Sequence, residues 1–205
     1  MTEEKLPKKI RAFWFGDTIA DPSAIVARMG FWFGADEDRD AEIRADWMQI
    51  TEDAMAGRLD PMGSSPFGRL ALILLLDQFP RNLFRGSARA FEKDGRARYL
   101  MRDGMSLQMD LALSPIERCF FYMPLQHSEF LEDQESSVSR YQQLFSEVSL
   151  DQRKVFQSFL DYAILHRDIV ARFGRFPHRN ATLNRLSTGE ELTYLAGNAP
   201  RFGQG

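Results

Sequence analysis

The stretch SPFGRLALILLLDQFPRN, residues 65–82, carries the apolar run LALILLL and turns polar at Asp77. Ser65 is typical of a helix N-cap, and Pro66 suits the first helical position, where no amide hydrogen is needed. A helix that is apolar on nearly every side is expected at the centre of a helical protein, enclosed by its neighbours. We expect Pro80 to end this helix, since its ring clashes with a continuing turn.

The rest of the chain also carries helix signals, and no stretch alternates apolar and polar residues as a strand does. Apolar spacing with start and stop residues predicts further helices over 22–30, 38–56, 87–109, 114–123, 131–148, 150–173 and 187–195. Two of them open on strings with the form of a capping box, SPIE at 114–117 and STGE at 187–190. The sequence therefore predicts an all-α fold.

Length and charge favour one soluble helical domain over residues 1–205, with an irregular aromatic segment at 1–21 and a flexible tail at 197–205. The net charge of −3 gives no general attraction to nucleic acid or to an anionic membrane, so neither is expected as a partner. The first residues lack the apolar core of a signal peptide, and LALILLL is far shorter than the about 20 residues of a membrane span. The expected location is cytoplasmic.

Five strings together resemble one bacterial family. They are FWFG near the start, DAEIR, GRLALILLLDQFPRNLFRG, YMPLQHSE with Gln134 downstream, and HRDIVARFGRFPHRN. The family they resemble is an uncharacterised domain-of-unknown-function family with a tetratricopeptide-like (TPR-like) helical fold, and the resemblance covers nearly the whole chain. It implies a TPR-like superhelix of antiparallel helix pairs, and it implies no established activity.

Two short strings occur twice in the chain. FWFG stands at 13–16 and 31–34, and we interpret both copies as aromatic plugs at helix junctions, with a protein-binding aromatic patch as the alternative. QFPRN at 78–82 is echoed by RFPHRN at 175–180. This echo predicts two equivalent corners, in each of which proline stops a helix and the Arg-Asn pair bonds to free carbonyls.

Polar residues interrupt the apolar faces in four clusters, which hold all three histidines of the chain. The clusters are Asp77-Gln78 with Arg81-Asn82, Gln126-His127-Ser128-Glu129 with Gln134, His166-Arg167, and Arg175 with His178-Arg179-Asn180. Helical periodicity turns Asp77 towards the interior, where an unpaired carboxylate is strongly unfavourable. Its expected partner is Arg81, Arg179 or His166. Helix phase and antiparallel packing would bring His127 alongside His166, so the clusters are expected to converge.

Three functional hypotheses remain open. In the first, the clusters only cap helix ends and tie helices together through buried hydrogen bonds. In the second, they form a cleft for a small anionic metabolite or a peptide carboxylate. The binding residues of that cleft are expected to be Gln78, Arg81, Asn82, Gln126, Gln134, Arg167, His178, Arg179 and Asn180. In the third, the protein is a hydrolase-like or metal-dependent enzyme, and its candidate catalytic residues are His127, His166, Asp77 and Glu129.

We adopt the binding hypothesis, because donors outnumber acids in the four clusters although the whole chain is acidic. No G-x-G-x-x-G, Walker A, G-x-S-x-G or C-x-x-C motif occurs, which argues against nucleotide, α/β-hydrolase and thiol-redox sites. Ser128 is the neighbour of His127 in the chain, which is poor geometry for a nucleophile and its base. H-x-E and H-x-D are weak metal-ligand spacings on a helix, so neither a metal nor a cofactor is predicted.

Overall fold

A computed structural model describes residues 5–34, 36–197, 199–200 and 202, without the side chain of Glu37. Within these residues every regular element is a helix and no strand occurs, which confirms the all-α prediction. The parts of the expected N-terminal segment and C-terminal tail that fall on 1–4, 198, 201 and 203–205 lie outside the described residues.

The α-helices follow one another in the chain with short connections. They are α1 (Lys5–Phe15), α2 (Ile25–Phe33), α3 (Glu37–Met55), α4 (Pro66–Ile73), α5 (Phe79–Leu83), α6 (Asp94–Ser106), α7 (Pro115–Gln126), α8 (Leu131–Glu147), α9 (Arg153–Phe173) and α10 (Gly189–Ala196). Short 3-10 helices lie at Gly16–Ile19, Pro22–Ala24, Asp60–Ser64, Ala88–Phe91, Met109–Ala112 and Pro177–Arg179.

The apolar run forms the centre of the core, as its composition predicts. Ser65 caps α4 by accepting a hydrogen bond from the Gly68 amide at 3.2 Å, and Pro66 takes the first position of the helix. Every residue from Leu70 to Pro80 is buried. The neighbouring α1, α3, α6 and α7 pack around this segment, which therefore contacts much of the fold.

The prediction that Pro80 ends this helix is wrong. α4 runs into α5 through a π-helical turn at Leu74–Gln78, and the helix continues to Leu83. The wider turn shifts the backbone pairing ahead of the proline, so that Pro80 falls in the first turn of α5. An amide hydrogen is dispensable at that position, which is why the chain stays helical.

Other helix boundaries also differ from the predictions, and α7 continues through Pro124 to Gln126 instead of ending at 123. α2 does not stop at Gly30 but continues to Phe33, because a glycine weakens a helix without breaking it. α10 is capped by Thr188 and Glu191, one residue later than the STGE string suggests, since the Glu191 carboxylate reaches the Thr188 amide at 2.7 Å. The other predicted capping box, Ser114 with Glu117, is confirmed.

The predictions for 1–21 and 87–109 need correction as well. The N-terminal segment is not irregular where it is described, because α1 occupies residues 5–15 and buries Ile10 and Trp14 at four-residue spacing. The single helix predicted over 87–109 is divided into a 3-10 turn, Ala88–Phe91, and α6.

The two FWFG strings contribute mainly to the core. Trp14, Phe15 and Trp32 are buried, and the Trp32 ring lies 4.8 Å from the ring of Phe120. Phe33 is 45% exposed. The protein-binding role of these strings stays a prediction.

α8 and α9, joined by residues 148–152, pack against each other more extensively than any other helix pair in the described chain. The finer expectations of a TPR-like superhelix and of a single domain stay predictions, as does the cytoplasmic location. No helix in the described ranges combines the length and the apolar character that crossing a bilayer would require.

Candidate functional site

A cavity of about 350 Å³ lies where α2, α5, α7 and α9 meet, and its size suits a small molecule. Eight residues predicted for the site line it: Gln78, Arg81, Asn82, Gln126, His127, His166, His178 and Arg179. With Arg85, the lining includes three arginines and three histidines. Among the described residues that line it there is no Asp or Glu, so the wall of the cavity is cationic or neutral.

The carboxylate of Asp77 is fully buried and contacts two residues of the cavity lining, Gln78 and His127. His127 Nδ1 lies 2.8 Å from its Oδ1, and the Gln78 amide donates to Oδ2 at 2.5 Å. Arg81 Nη1 lies 3.4 Å from Oδ1. Asp77 has no exposed surface, so protein groups rather than solvent supply the hydrogen bonds and the counter-charge of its carboxylate. Of the partners expected for Asp77, Arg81 is present, while His127 stands where Arg179 or His166 was expected.

The surroundings of Asp77 and His127 set their charges. Burial alone would raise the pKa of Asp77, but the charge of Arg81 and the hydrogen bonds from His127 and Gln78 outweigh it and hold that pKa well below its usual range. Burial and the charge of Arg81 lower the pKa of His127, more than Asp77 raises it. Near neutral pH the pair is therefore a carboxylate beside a neutral imidazole.

Arg81 and Arg179 meet at Asp94. Arg81 donates through both terminal nitrogens to Asp94, at 3.0 and 2.9 Å, and the Arg179 Nη1 lies 3.6 Å from the same carboxylate. Arg179 also donates to the carbonyl oxygen of His127 at 3.0 Å. Both guanidinium groups lie over the ring of Phe91, with distances to its centroid of 5.7 and 4.7 Å. Two cations thus share one acid at the cavity wall.

The echo between QFPRN and RFPHRN does not produce two equivalent corners. QFPRN lies within a continuous helix, whereas RFPHRN follows the end of α9 at Gly174, whose φ of +69° favours glycine. Asn82 donates to the side chain of Asp40 rather than to a free carbonyl. The two strings do converge, because each supplies one of the arginines at Asp94.

His166 and His178 line the cavity together with Phe202. His166 Nδ1 donates to the carbonyl oxygen of Tyr162 at 2.7 Å, and its ring centroid lies 3.9 Å from that of Phe202. Burial and the nearby His127 lower the pKa of His166 well below its usual value. Burial and the charge of Arg179 lower the pKa of His178 to about 3. Both imidazoles are neutral at neutral pH.

The other predicted site residues lie away from this cavity. Glu129 pairs with Arg185 at 2.6 Å and lines a second, shallower cavity. Gln134 is buried and donates to backbone carbonyls of α7 and the following turn. Asn180 is buried and bonds to Ser187, Glu191 and Arg185. Arg167 pairs with Asp168 at the surface. These four residues bond to the protein itself, and no three metal-ligating side chains are grouped among the described residues.

Several residues of the site could not be identified from the sequence. They are Arg85, Phe91, Asp94, Phe159, Tyr162 and Phe202. Asp94 lies at the start of α6, and nothing in the sequence marked it as a site residue, because an acid in the first turn of a helix is common. Only the folded chain brings it to Arg81 and Arg179.

Comparison with known proteins gives a family and one solved relative. The family model described as a bacterial protein of unknown function (DUF924) matches residues 10–199. A solved structure, the protein of unknown function ATU0120 from Agrobacterium tumefaciens, is 36% identical, with a TM-score of 0.76, and the similarity covers 93% of this chain and 96% of that chain. No curated protein matches the chain. Both matches agree with the resemblance seen in the sequence.

Proposed function

Because this chain belongs to DUF924, a family of bacterial proteins of unknown function, we propose a function from its cavity: it binds a small organic anion. The ligand carries a carboxylate or a similar anionic group on an apolar or aromatic body. The anionic group lies against Arg179 and Arg81, and the body lies against the aromatic wall that includes Phe33, Phe159 and Tyr162.

The observation that carries this proposal is that the guanidinium group of Arg179 is buried and only partly paired. Its side chain is 8% exposed, and its Nε is buried without a hydrogen-bond partner in the described chain. Its nearest carboxylate, on Asp94, already receives both terminal nitrogens of Arg81. Burial lowers the pKa of Arg179 to about 10, which leaves the group charged at neutral pH but short of counter-charge. An anion in the cavity would supply that charge.

The lining supports an anion over a cation or a neutral sugar. The acids near the cavity, Asp40, Asp77 and Asp94, are bonded to arginine, histidine or amide groups and are not among its lining residues. Gln78, Asn82 and Gln126 add neutral amides that can orient a ligand. A guanidinium fork recognises a carboxylate with two parallel hydrogen bonds, which neutral donors cannot match.

The test compares benzoate with benzyl alcohol, its uncharged analogue of similar size, by calorimetry and thermal shift. We expect benzoate and phenyl phosphate to stabilise the protein, by about 2.7 kcal/mol at a concentration one hundred times the Kd. Benzyl alcohol and benzylamine are expected to give little or no shift. Added salt should weaken benzoate binding only modestly, because a buried pair is poorly screened.

Arg179→Met is expected to abolish most of the benzoate shift, whereas Arg167→Met should leave it unchanged. Arg167 is the matched control, because it is an arginine bonded to Asp168 at the surface, outside the cavity. Equal shifts from benzoate and benzyl alcohol would contradict anion recognition. No shift from any of these ligands, together with a large loss of stability in Arg179→Met, would favour the hypothesis that the polar clusters only tie helices together.

A further inference from the structure

The Asp77–His127 pair has a geometry that binding alone does not require. Asp77 is fully buried and accepts from His127 Nδ1 at 2.8 Å, while the imidazole reaches the cavity. A carboxylate is an acceptor only, so the proton of a neutral His127 must lie on Nδ1. Nε2 is then the basic nitrogen, and it has no hydrogen bond within the described chain. The hydrogen bond at Nδ1 therefore fixes the orientation of the imidazole, and Nε2 remains available to a ligand or a water molecule.

The charged groups around His127 come from several elements of the fold. Arg81 belongs to α5, Asp94 to the start of α6, and Arg179 to the 3-10 turn after α9. His166 of α9 lies 6.3 Å away, measured between ring centroids. The net effect is a cationic wall beside a neutral base, a combination suited to stabilising negative charge as it develops in a reaction.

The described lining of the cavity contains no Ser, Thr, Cys or Lys. A covalent intermediate on a hydroxyl, thiol or amine of the usual kind is therefore not favoured there. A base with no such nucleophile in the same cavity lining acts on a proton of water or of the ligand itself. Water is the simpler case, because a bound anion leaves room for it in a cavity of about 350 Å³.

We propose that this cavity hydrolyses an ester of a small organic anion, with His127 as general base and Asp77 as the residue that positions it. The inference rests on the proposed anion binding. Nε2 of His127 takes a proton from water as the water oxygen forms a bond to the ester carbonyl carbon. The bond from that carbon to the leaving oxygen then breaks, and the leaving oxygen takes the proton from His127. The products are a carboxylic acid and an alcohol.

Arg179 and Arg81 hold the anionic group of the ester in this scheme. His127 is the catalytic residue because it touches the reacting water, and Asp77 acts through His127. Loss of the base is expected to lower kcat by about 100- to 10,000-fold. Loss of the positioning carboxylate lowers kcat through the wrong tautomer, with KM nearly unchanged.

The experiment uses 4-nitrophenyl succinate, an anionic ester with a coloured leaving group, and its anilide, which has the same shape and resists cleavage. Wild type is expected to bind the anilide and to release 4-nitrophenol from the ester. His127→Ala should bind the anilide with similar affinity and lose turnover, and added imidazole should restore part of it. Asp77→Asn should lower kcat without raising KM, and its melting temperature tells whether it has folded.

The outcomes separate the two proposals. If the anilide binds but the ester is hydrolysed no faster than in buffer, hydrolysis is overturned while anion binding stands. Turnover that is equal in wild type and His127→Ala would overturn the role of His127. If the anilide does not bind at all, the proposed anion site fails, and this inference fails with it.

Discussion

The amide of Phe79 donates its hydrogen bond to the carbonyl of Leu74, five residues back in the chain. A regular α-helix would pair it with Leu75 and would direct the ring of Pro80 against the carbonyl of Leu76. The π turn removes this conflict and keeps the helix continuous. It also sets the positions of Asp77 and Gln78, and single π turns are frequent at functional sites.

Replacing Pro80 with alanine should therefore change the site more than the stability. The variant regains an amide hydrogen, so we expect the turn to relax towards α-helical pairing and to move Asp77 away from His127. Because Pro80 lies in the first turn of α5, where the penalty for proline is small, the melting temperature should change little. The measurement is the proton signal of His127 Nδ1, which a strong hydrogen bond to a carboxylate moves to low field.

Pro66→Ala is the control for this change. Pro66 occupies the first position of α4, on the same continuous helix, where an amide hydrogen has no partner to bond. Its replacement should leave the His127 signal in place. A His127 signal that is unchanged in Pro80→Ala would show that the turn does not depend on the proline.

Local chemistry explains what could be predicted from the sequence. The cap at Ser65 and the capping box at Ser114 depend on residues within three positions of each other, and both were found. The burial of the leucine run follows from composition alone. Pro80 was misjudged because its usual effect on a helix is also local, whereas the π turn that accommodates it lies in a segment buried on all sides.

The site could be predicted only in part, because its contacts join distant segments. The polar clusters gave eight lining residues, since polar groups on apolar faces stand out in the sequence. The sequence did not indicate which of these residues bond to each other. The pairing of Asp77 with His127 spans fifty positions, and Asp94 contacts two arginines that lie far apart in the chain, Arg81 and Arg179.

Gly68→Ala should be one of the most destabilising small changes in the chain. A Cβ at Gly68 would lie 1.9 Å from the carbonyl oxygen of Met62, which is backbone and cannot swing aside. We expect a loss at or beyond the upper end of the about 1–3 kcal/mol typical of overpacking. Urea unfolding measures this loss of stability.

Gly95→Ala is the control, because nothing lies within 4 Å of a Cβ there, and alanine should stabilise α6 by up to about 1 kcal/mol. Similar values for the two variants would contradict the close contact at Met62.

Stability should fall as the pH is lowered from 7 to 5. His127, His166 and His178 have pKa values below those of free histidine, because burial opposes their charged form. Below about pH 6.5 the unfolded chain takes up protons on these residues while the folded chain does not. Each such histidine lowers the free energy of unfolding by up to about 1.4 kcal/mol per pH unit. For His178 the loss continues until the pH reaches about 3.

Urea unfolding at a series of pH values between 7.5 and 4.5 measures this slope. His178→Gln should reduce it, because glutamine does not titrate. The carboxyl of Asp77, whose folded pKa lies below its usual range, adds to the loss only below about pH 4. A free energy of unfolding that stays constant from pH 7 to 5 would mean that the histidines are protonated in the folded protein.

Asp94→Asn should weaken the fold and strengthen anion binding at once. The change leaves the guanidinium groups of Arg81 and Arg179 without the carboxylate they share. Removing one partner of a buried charge pair typically destabilises by about 3–5 kcal/mol, and the partial exposure of Asp94 places the expected loss at the lower end. The two cations should then attract an added anion more strongly. Benzoate or phosphate is expected to restore much of the lost melting temperature.

Asp53→Asn is the matched control. Asp53 also pairs with an arginine, Arg58, but the Arg58 side chain of that pair is 60% exposed, and surface pairs contribute little to stability. Its stability should hardly change, and added benzoate should shift it no more than wild type. If benzoate stabilises Asp94→Asn no more than it stabilises Asp53→Asn, then Arg81 and Arg179 do not form the anion site, because the variant that removes their shared carboxylate gains nothing from an anion.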